Sequence, residues 1–561
     1  MTTFGIDLGT TNSCIAYIDE SGRSVVVRNA LGEPTTPSTV YFEGPGQVVV
    51  GQAAKDVAVF APHLVAQLVK REMGQRDRVF TYHKRAYTPE MVSAFILRDL
   101  ARCAADATRQ AVRDVVITVP AYFGVAEREA TRRAGEIAEL NVLDVLAEPV
   151  AAALSYQDQQ AAGQSPDVLV FDLGGGTFDT TVIRMAGRDV TVVCTDGDHR
   201  LGGADWDERI KAYLLQEFTA QHPRLDPRAD ESFMQELTTM AESMKQDLSS
   251  RSARRQNLRF GGAVAAVELS REQLAEMTAD LLERALAITR RTIDEARRQG
   301  VTDIAEVILV GGMTRMPVVA ARLQQEFGLT IRRHEPDLAV ARGAALFAMI
   351  TQARRTAGLG GGGAGHAAGA GAGQAADGPT AAASRAAEQV AGTLGISADQ
   401  AEEMISRRVT TVVPRGFGIK VVDQNDPVFA SNPVKARYYV VHLLPANTPL
   451  PATVGPVQVC TGLDNQPAID IEVWEQNGAV ESEELADNSF VGRGRLRSLV
   501  GLPAGSPFEI TFTMNETGLL TVHAAEPSSG REVRFDLQIG GMDQAAVDEA
   551  RATVAHHQMS A

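Results

Sequence analysis

The feature that most constrains the fold is a strand–turn–strand pattern that occurs twice in the first half of the chain. Asp7-Leu8-Gly9 follows the apolar segment Phe4–Ile6, and Asp172-Leu173-Gly174 follows the apolar segment Val168–Phe171. A second apolar segment follows each turn, and helical patterns such as Ala126–Leu140 lie between the two units. Alternation of short strands with helices is typical of an α/β fold. The repeated unit indicates two related lobes within that fold.

Length and charge restrict the class of protein. The 561 residues exceed what a single hydrophobic core holds, so we expect several domains. The net charge of −16 disfavours nucleic acid and anionic membrane as main partners. We find no apolar run of the roughly 20 residues that a membrane span requires. Chemistry-bearing sequence begins at Phe4 and leaves no room for a signal peptide, so we expect a cytoplasmic protein.

Composition changes after the α/β pattern, which covers residues 1–355. Within 357–377, 17 of 21 residues are Gly or Ala, which is typical of a flexible tether. A capping box, Ser397-Ala398-Asp399-Gln400, then predicts a short helix that ends at Ser406. Residues 356–408 are therefore predicted to be a Gly/Ala-rich flexible linker with one short helix.

The hydrophobic period becomes two beyond Val409. Ile469 and Ile471, for example, alternate with charged residues, and turn signals separate several such runs. This pattern predicts a compact all-β domain over residues 409–540. Residues 541–561 are predicted to form a short terminal helix.

The first repeated turn has the residue types of a phosphate site. Gly9 lets the backbone approach a ligand closely, and Thr10, Thr11 and Asn12 supply hydroxyl and backbone N–H donors. Asp7, at the end of the strand, can anchor a hydrated Mg²⁺ beside a phosphate. An ordinary hairpin turn with hydroxyl caps has the same composition, so this turn alone leaves both interpretations open.

Two further glycine turns favour the ligand. Gly174-Gly175-Gly176 stands between Asp172 and Asp179, although three consecutive glycines weaken the end of a strand. Gly311-Gly312 again follows an apolar strand, Val307–Val310. Three glycine turns at three strand ends, each beside hydroxyls or carboxylates, indicate one site for a charged phosphate ligand.

The motifs together resemble a known family. Beside the two phosphate loops, the set comprises Val119-Pro120-Ala121-Tyr122-Phe123, Glu148-Pro149, Leu201-Gly202-Gly203 and Val310-Gly311-Gly312-Met313-Thr314-Arg315. In order and spacing it resembles the nucleotide domain of the DnaK-type seventy-kilodalton heat-shock chaperones. Sugar kinases and actins share the fold but not this whole set. The resemblance implies an α/β actin-like (ribonuclease-H-like) two-lobed ATPase domain, a C-terminal all-β sandwich and a short terminal helix.

The resemblance also implies roles for individual residues. Catalysis is assigned to Lys70, which orients the attacking water, together with Glu148, Thr177, Asp172 and Asp7. Asp7, Asp172 and Asp179 are expected to organise Mg²⁺ and a monovalent ion such as K⁺, mostly through water. ATP or ADP is expected to contact Gly9, Thr10, Thr11, Asn12, Gly174, Gly175, Gly176, Gly202, Gly203, Glu242, Lys245, Ser249, Gly311, Gly312, Arg315 and Asp337.

The nucleoside contacts also have a pattern of their own. Glu242, Lys245 and Ser249 stand at i, i+3 and i+7 of a predicted helix and share one face. Without the resemblance, Glu242 and Lys245 would be interpreted as a surface ion pair. Gln246 stands where many relatives carry an arginine that stacks on adenine.

The β domain resembles the peptide-binding sandwich of the family. The cleft for an extended hydrophobic peptide is expected around Ile419, Val459, Ile469 and Ile471, although plain sandwich core explains each residue equally well. The predicted function is an ATP-dependent chaperone and ATPase that binds unfolded peptides, with a J-domain co-chaperone and a nucleotide exchange factor as further partners. The alternatives are a nucleotide-gated adaptor for a dedicated partner and a small-molecule kinase, in which the sandwich has no role.

Three departures from the family pattern concern the coupling of the domains. The leucine-rich acidic linker is replaced by Arg407-Arg408-Val409-Thr410-Thr411, the helical lid after Gly540 is nearly absent, and the stretch from Lys70 to Pro120 is short. A flexible tether transmits no torque, so we expect weak coupling between ATP and peptide. A cleft without a lid is expected to exchange peptide quickly.

Overall fold

The computed structural model describes residues 2–75, 77–158, 167–359, 379–478, 480–497, 502–527, 530–537 and 542–560. Most of the predicted Gly/Ala tether, from residue 360 onward, lies outside these residues. No helix in the described ranges has both the length and the apolar character of a bilayer span.

The first lobe comes first in the chain. Its elements are β1 (Phe4–Asp7), β2 (Asn12–Ile18), β3 (Ser24–Val26), β4 (Thr36–Pro37), β5 (Val40–Gly44), β6 (Gln47–Val50), α1 (Gln52–Val57), β7 (Val65–Ala66), β8 (Phe80–Tyr82), β9 (Arg85–Tyr87), α2 (Pro89–Thr108), β10 (Asp114–Val119), α3 (Val125–Ile137), β11 (Asn141–Ala147) and α4 (Glu148–Asp158). The main sheet has the order β11-β10-β1-β2-β3. Helices α2 and α3 bury their apolar faces in the core on this sheet.

The second lobe repeats this arrangement. Its elements are β12 (Asp167–Leu173), β13 (Phe178–Ala186), β14 (Asp189–Asp198), α5 (Gly203–Gln221), α6 (Glu231–Leu248), β15 (Ala253–Phe260), β16 (Ala263–Ser270), α7 (Arg271–Met277), α8 (Ala279–Arg298), β17 (Glu306–Val310), α9 (Pro317–Phe327), β18 (Thr330–Arg333) and α10 (Ala339–Thr356). β1 pairs antiparallel with β2 and parallel with β10, and β12 pairs antiparallel with β13 and parallel with β17. The repeated Asp-Leu-Gly turn is therefore part of a structural repeat.

Helices α4 and α10 pack together between the two sheets and join the lobes. A helical hairpin, α11 (Pro379–Leu394) and α12 (Ala398–Ser406), follows and packs on α10. As predicted, Ser397 caps α12 by accepting a hydrogen bond from the Gln400 amide. The sequence predicts one helix in this region, whereas its described residues form two, because the Ala-rich composition of α11 favours helix as well as tether. The next strand, β19 (Val409–Thr410), pairs parallel with β14 of the second lobe.

The all-β domain is a sandwich of two four-stranded sheets. Its strands are β20 (Phe417–Val422), β21 (Tyr438–Leu444), β22 (Ala452–Cys460), β23 (Ala468–Gln476), β24 (Asn488–Arg497), β25 (Pro507–Met514), β26 (Leu520–Glu526) and β27 (Arg531–Asp536). The sheets have the orders β21-β20-β23-β24 and β22-β25-β26-β27. Alternate apolar residues, among them Phe417 and Phe512, fill the space between them.

The last described elements pack on the first lobe. Helix α13 (Gln544–Ala555) packs on α2 and α3, and β28 (Gln558–Ser560) adds a strand to β6. The predicted fold class, a two-lobed α/β domain with a β-sandwich and a short terminal helix, is confirmed.

Candidate nucleotide site

The candidate site is a cavity of about 420 Å³ between the two lobes. It brings together most of the residues that the sequence predicts for it: Asp7, Gly9, Thr10, Thr11, Asn12, Lys70, Glu148, Asp172, Gly174, Gly175, Thr177, Gly203, Glu242, Lys245, Ser249, Gly311, Gly312, Arg315 and Asp337. Three predicted residues, Gly176, Asp179 and Gly202, lie just behind this lining. Asp179 faces Asp172 across the β12–β13 pair, and Gly202 packs on Gly176.

The two phosphate loops meet face to face across the cavity. A Cβ on Gly175 would overlap the side chain of Thr11, and a Cβ on Gly176 would overlap that of Thr10. Only glycine permits this approach of one loop's backbone to the threonine side chains of the other loop. The amide of Gly203, at the start of α5, donates a hydrogen bond of 2.9 Å to the carbonyl of Gly174 and fixes the second loop. The paired loops form a cradle of backbone and hydroxyl donors that suits a phosphate chain.

A buried ion pair lies at the floor of the cavity. Lys70, on a 3₁₀ turn of the first lobe, places its Nζ 2.5 Å from Oε1 of Glu148, the first residue of α4. The side chains are only 5% and 10% exposed. A buried charged group requires a partner, and each of these two side chains is the partner of the other.

Three buried aspartates surround this pair. Burial raises the pKa of Asp7 to about 7, with repulsion from Glu148 as the second cause. The same two causes raise the pKa of Asp179 to about 7, and the pKa of Asp172 is raised well above its usual range. Oδ1 of Asp179 accepts a hydrogen bond from the Tyr122 amide, whereas Oδ2 has no partner in the described part of the chain. The cluster therefore has more negative charge than its surroundings neutralise.

These carboxylates fit a hydrated cation. Within the described ranges, no three His, Cys, Asp or Glu side chains are placed to hold a metal ion directly. Mg²⁺ keeps much of its water shell and is commonly anchored by few carboxylates together with phosphate. The orphaned Oδ2 of Asp179 and the raised pKa values of Asp7 and Asp172 show a demand for positive charge at this point. The donor set therefore suits Mg²⁺ held through water.

The other end of the cavity has the chemistry of a nucleoside site. Glu242, Lys245 and Ser249 line one wall from α6, and an ion pair between Arg315 and Asp337 lines the opposite wall. The hydroxyl of Ser249 donates to the carbonyl of Lys245 at 3.3 Å. These polar groups are oriented by their own contacts and can recognise a ribose and a base.

Sequence reasoning missed several residues of the site. Asp207 Oδ2 is 2.7 Å from Nζ of Lys245, and burial raises the pKa of Asp207 to about 6. The signal was available, because Asp207 follows Gly203 by one helical turn of α5 and shares its face. Lys55 of the first lobe pairs at 2.7 Å with Glu242, which lines the cavity from the second lobe. That contact joins the two lobes, and no local sequence pattern predicts it, because the two residues are far apart in the chain.

Arg71 is a second missed link between the lobes. Its Nε donates to the carbonyl of Gly176 at 2.9 Å, and its Nη2 lies 2.6 Å from Oδ2 of Asp205. The neighbour of Lys70 therefore ties the first lobe to the second phosphate loop. Adjacency to Lys70 was the only signal in the sequence.

The residues predicted to line the peptide cleft are divided between core and periphery. Ile419 and Ile471 are buried in the sandwich core, and Val459 and Ile469 are partly buried against it. Ile419, Ile469 and Ile471 belong to one sheet and Val459 to the other. This arrangement is that of sandwich core, and the peptide cleft stays a prediction.

Comparison with known proteins identifies the family. The family model described as Hsp70 protein matches residues 3–85 and 77–359. Two proteins named Chaperone protein DnaK, from strains R1 and NRC-1 of Halobacterium salinarum, are each 32% identical to the chain over 562 residues. Each alignment covers 99% of this chain and 78% of the relative. The family match spans both phosphate loops and the cavity they form, and the similarity to the chaperones continues through the sandwich. The chain belongs to the Hsp70 family.

Proposed function

We propose that ATP is bound and hydrolysed in the cavity between the two lobes. The chain is an ATP-dependent chaperone and ATPase of the Hsp70 family. The observation that carries the proposal is the Lys70–Glu148 ion pair at the floor of a cradle made by glycine turns. Phosphoryl transfer depends on positioning and electrostatic stabilisation, which is what such a cradle supplies. The comparisons give no support to the adaptor alternative.

The phosphate chain lies between the two loops in this proposal. Thr10, Thr11 and Asn12 contact the β- and γ-phosphates from one side, and Gly174–Gly176 contacts them from the other. The close approach of Gly175 to the Thr11 side chain supports this placement, because it brings the two loops to the same end of the cavity that both line. Gly9, Gly202 and Gly203 complete the cradle.

Lys70 orients the attacking water and offsets the charge that develops on the γ-phosphate. Glu148 holds the ammonium group of Lys70 and, with Thr177, places the water. Mg²⁺ neutralises phosphate charge when bound, and Asp7, Asp172 and Asp179 are proposed to hold its water shell, with K⁺ as a second ion beside them. The excess negative charge of these aspartates supports the assignment.

The nucleoside lies against α6 in this proposal. Glu242, Lys245 and Ser249 contact ribose and adenine, and Gly311, Gly312, Arg315 and Asp337 close the other side. The ion pairs of Glu242 with Lys55 and of Arg315 with Asp337 support these positions, because they orient the groups before a ligand arrives.

The test is Lys70→Ala. Nucleotide affinity is expected to change little, because Lys70 acts mainly on the transition state, and hydrolysis is expected to slow by roughly a hundredfold or more. Calorimetry and single-turnover hydrolysis measure the two effects. Lys211→Ala is the matched control, because the ion pair of Lys211 in the described part of the chain is with the exposed Glu208, away from the cavity lining. Hydrolysis at the parent rate by the Lys70 variant would show that the assignment is wrong.

The remaining parts of the proposal concern domains and partners. The domains are residues 1–355 for the ATPase, 356–408 for the linker region, 409–540 for the sandwich and 541–561 for the tail.

The sandwich binds extended hydrophobic peptides, and a J-domain co-chaperone and a nucleotide exchange factor regulate the cycle in the cytoplasm. Fluorescence anisotropy of a labelled hydrophobic peptide tests the first of these partners, and an unchanged anisotropy at high protein concentration would contradict it.

A further inference from the structure

A second cavity, of about 660 Å³, lies next to the nucleotide cavity. Glu148 of α4 lines the nucleotide cavity, and its neighbours Pro149 and Val150 line the second one. The rest of the wall comes from α3 and β11 of the first lobe, from α10, from the linker strand β19, and from Leu450 and Met514 of the sandwich. We call it the linker cavity. None of the residues predicted to contact ATP, metal or peptide lines it.

The charged residues of the linker cavity are mostly arginines. Five arginines line it against two carboxylates, although the whole chain has a net charge of −16. The arginines are Arg128, Arg354, Arg355, Arg407 and Arg408, and the acidic residues are Asp144 and Glu516. A cavity lined mainly by one sign of charge concentrates ions of the opposite sign.

Two of these arginines are held at the edge of a sheet. β11 is the edge strand of the main sheet of the first lobe. Nη2 of Arg128 donates to the carbonyl of Val145 at 2.6 Å, and Nη2 of Arg355 donates to the carbonyl of Leu143 at 2.9 Å. Each arginine is therefore positioned by an uncharged backbone acceptor, which leaves its positive charge available to a ligand.

Asp144 is shared among several of these charges. It lies between the two acceptor residues on β11, and its Oδ1 is 3.9 Å from Nη2 of Arg132. Burial raises the pKa of Asp144, although Arg132, Arg128 and Arg355 all favour its ionised form. Burial also lowers the pKa of Arg128, which is the direction expected for a buried cation with incomplete compensation. One carboxylate does not balance three guanidinium groups.

Arg407 brings hydrogen-bond donors without partners to the linker cavity. Its side chain is only 6% exposed, and its Nη2 lies 2.9 Å from Oε1 of Glu403 and 3.6 Å from Oδ1 of Asp158. Its Nε and Nη1 are buried and have no partner within the described ranges. Buried donors of a charged group are almost always satisfied, because leaving them unpaired is unfavourable. A ligand in the linker cavity can supply the missing acceptor.

The remaining lining defines the body of such a ligand. Apolar side chains make up much of it, among them Val192, Phe347, Ile350, Leu450 and Met514. A volume of about 660 Å³ falls within the roughly 300–1,000 Å³ of small-molecule sites. A bare inorganic ion would leave most of this apolar surface without contacts. Arginines beside an apolar wall therefore suit a molecule with one charged end.

We propose that the linker cavity binds an organic anion that has an apolar body and a phosphate or carboxylate group. The planar guanidinium group is the side chain best matched to either oxyanion. The anionic group accepts from Arg407 and is attracted by Arg128 and Arg355, and the apolar body packs against Phe347 and Ile350. This site is separate from the nucleotide cavity, and its ligand binds whether or not ATP is hydrolysed.

Calorimetry of the full chain with four probes tests the proposal. Saturating Mg²⁺-ADP is present throughout, so that the probes do not enter the nucleotide cavity. The probes are phenyl phosphate, benzoate, phenol and inorganic phosphate. Phenyl phosphate or benzoate is expected to bind about tenfold or more tightly than both uncharged phenol and inorganic phosphate. The tighter of the two identifies the anionic group. No saturable binding of either, or equal binding of phenol, would overturn the proposal.

Variants localise the bound probe. Arg407→Gln removes the buried charge and is expected to weaken the tighter anion by about tenfold. Arg408→Ala changes an exposed residue at the rim, so the fold is expected to persist, and is expected to weaken the same anion by about threefold. Arg437→Ala, which removes an exposed pair with Glu484 on the sandwich, is the control and is expected to bind like the parent. Parent affinity in both cavity variants would place the anion elsewhere and overturn the proposal.

Discussion

The buried aspartates of the nucleotide site are proposed to hold Mg²⁺, but their ionised form is disfavoured by burial and lowers the stability of the folded protein. The pKa of Asp179 is raised from 3.8 to about 7 in the folded protein, mainly by burial. Between these pH values the folded state keeps a proton that the unfolded state releases. The contribution of Asp179 to stability is therefore lost as pH rises through this window. In the absence of cations, the contribution of Asp179 alone is expected to make the folded protein more stable at pH 5 than at pH 8.

Asp179→Asn is expected to separate the two effects. The neutral amide removes the buried charge, so the melting temperature of the metal-free protein at pH 8 is expected to rise by about 2–5 °C. The same variant is expected to bind Mg²⁺-ATP much more weakly while its affinity for metal-free nucleotide changes little. Scanning calorimetry and titration calorimetry measure these quantities, and equal losses of affinity with and without Mg²⁺ would contradict the metal role.

Asp207 is expected to act through Lys245. Asp207→Asn weakens the hold on the Lys245 ammonium group, and ADP affinity is expected to fall by about fivefold to tenfold. Because the pKa of Asp207 is about 6, wild-type affinity is expected to fall as pH drops below that value. The variant is expected to lose this part of the pH profile, which a purely structural defect would retain. Glu208→Gln, on the exposed face of α5, is the control.

At the scale of elements, the features that depend on neighbouring residues are predicted well from the sequence. The Asp-Leu-Gly turns fall between paired strands, and Ser397 caps α12, because both signals depend on neighbours within a few residues. The period of two beyond Val409 predicts a strand, but β19 pairs with β14 of the second lobe. Strand partners, like the contact of Lys55 with Glu242, depend on tertiary packing, which no local pattern specifies.

The tail shows the same limit. The sequence predicts a helix over residues 542–557, and α13 occupies most of it. The strand β28 and the burial of His557 against Phe95 have no local signal, since their partners lie in the first lobe. In the structure, the tail contacts the ATPase domain.

A glycine pair tests the contact of the two phosphate loops. Gly175→Ala is expected to push Thr11 away and to weaken ATP binding by about a hundredfold, because its Cβ would overlap that side chain. Gly392, in the last turn of α11, has open space around a Cβ. Gly392→Ala is therefore expected to leave ATP binding unchanged and to stabilise the helix by up to about 0.5–1 kcal/mol. Equal affinities of the two variants for ATP would contradict the proposed cradle.

At the scale of the whole molecule, the structure removes the reason that the sequence gives for weak coupling between ATP and peptide. The sequence attributes weak coupling to a tether that transmits no force. In the structure, the helices on both sides of the Gly/Ala segment pack on the ATPase domain, and the linker is bonded to both domains. Peptide affinity measured with ATP and with ADP tests the prediction itself, a coupling below the typical 1–3 kcal/mol, an approximate general range of about fivefold to 150-fold.

Single-turnover hydrolysis of Mg²⁺-ATP by the full chain, with and without an unfolded peptide, tests the central claim most directly. The chain is expected to hydrolyse ATP at a rate that Lys70→Ala reduces by roughly a hundredfold or more. Saturating peptide is expected to change the parent rate by less than about tenfold, because weak coupling between the two sites is predicted. A parent rate no higher than that of Lys70→Ala would contradict the claim that this cavity hydrolyses ATP.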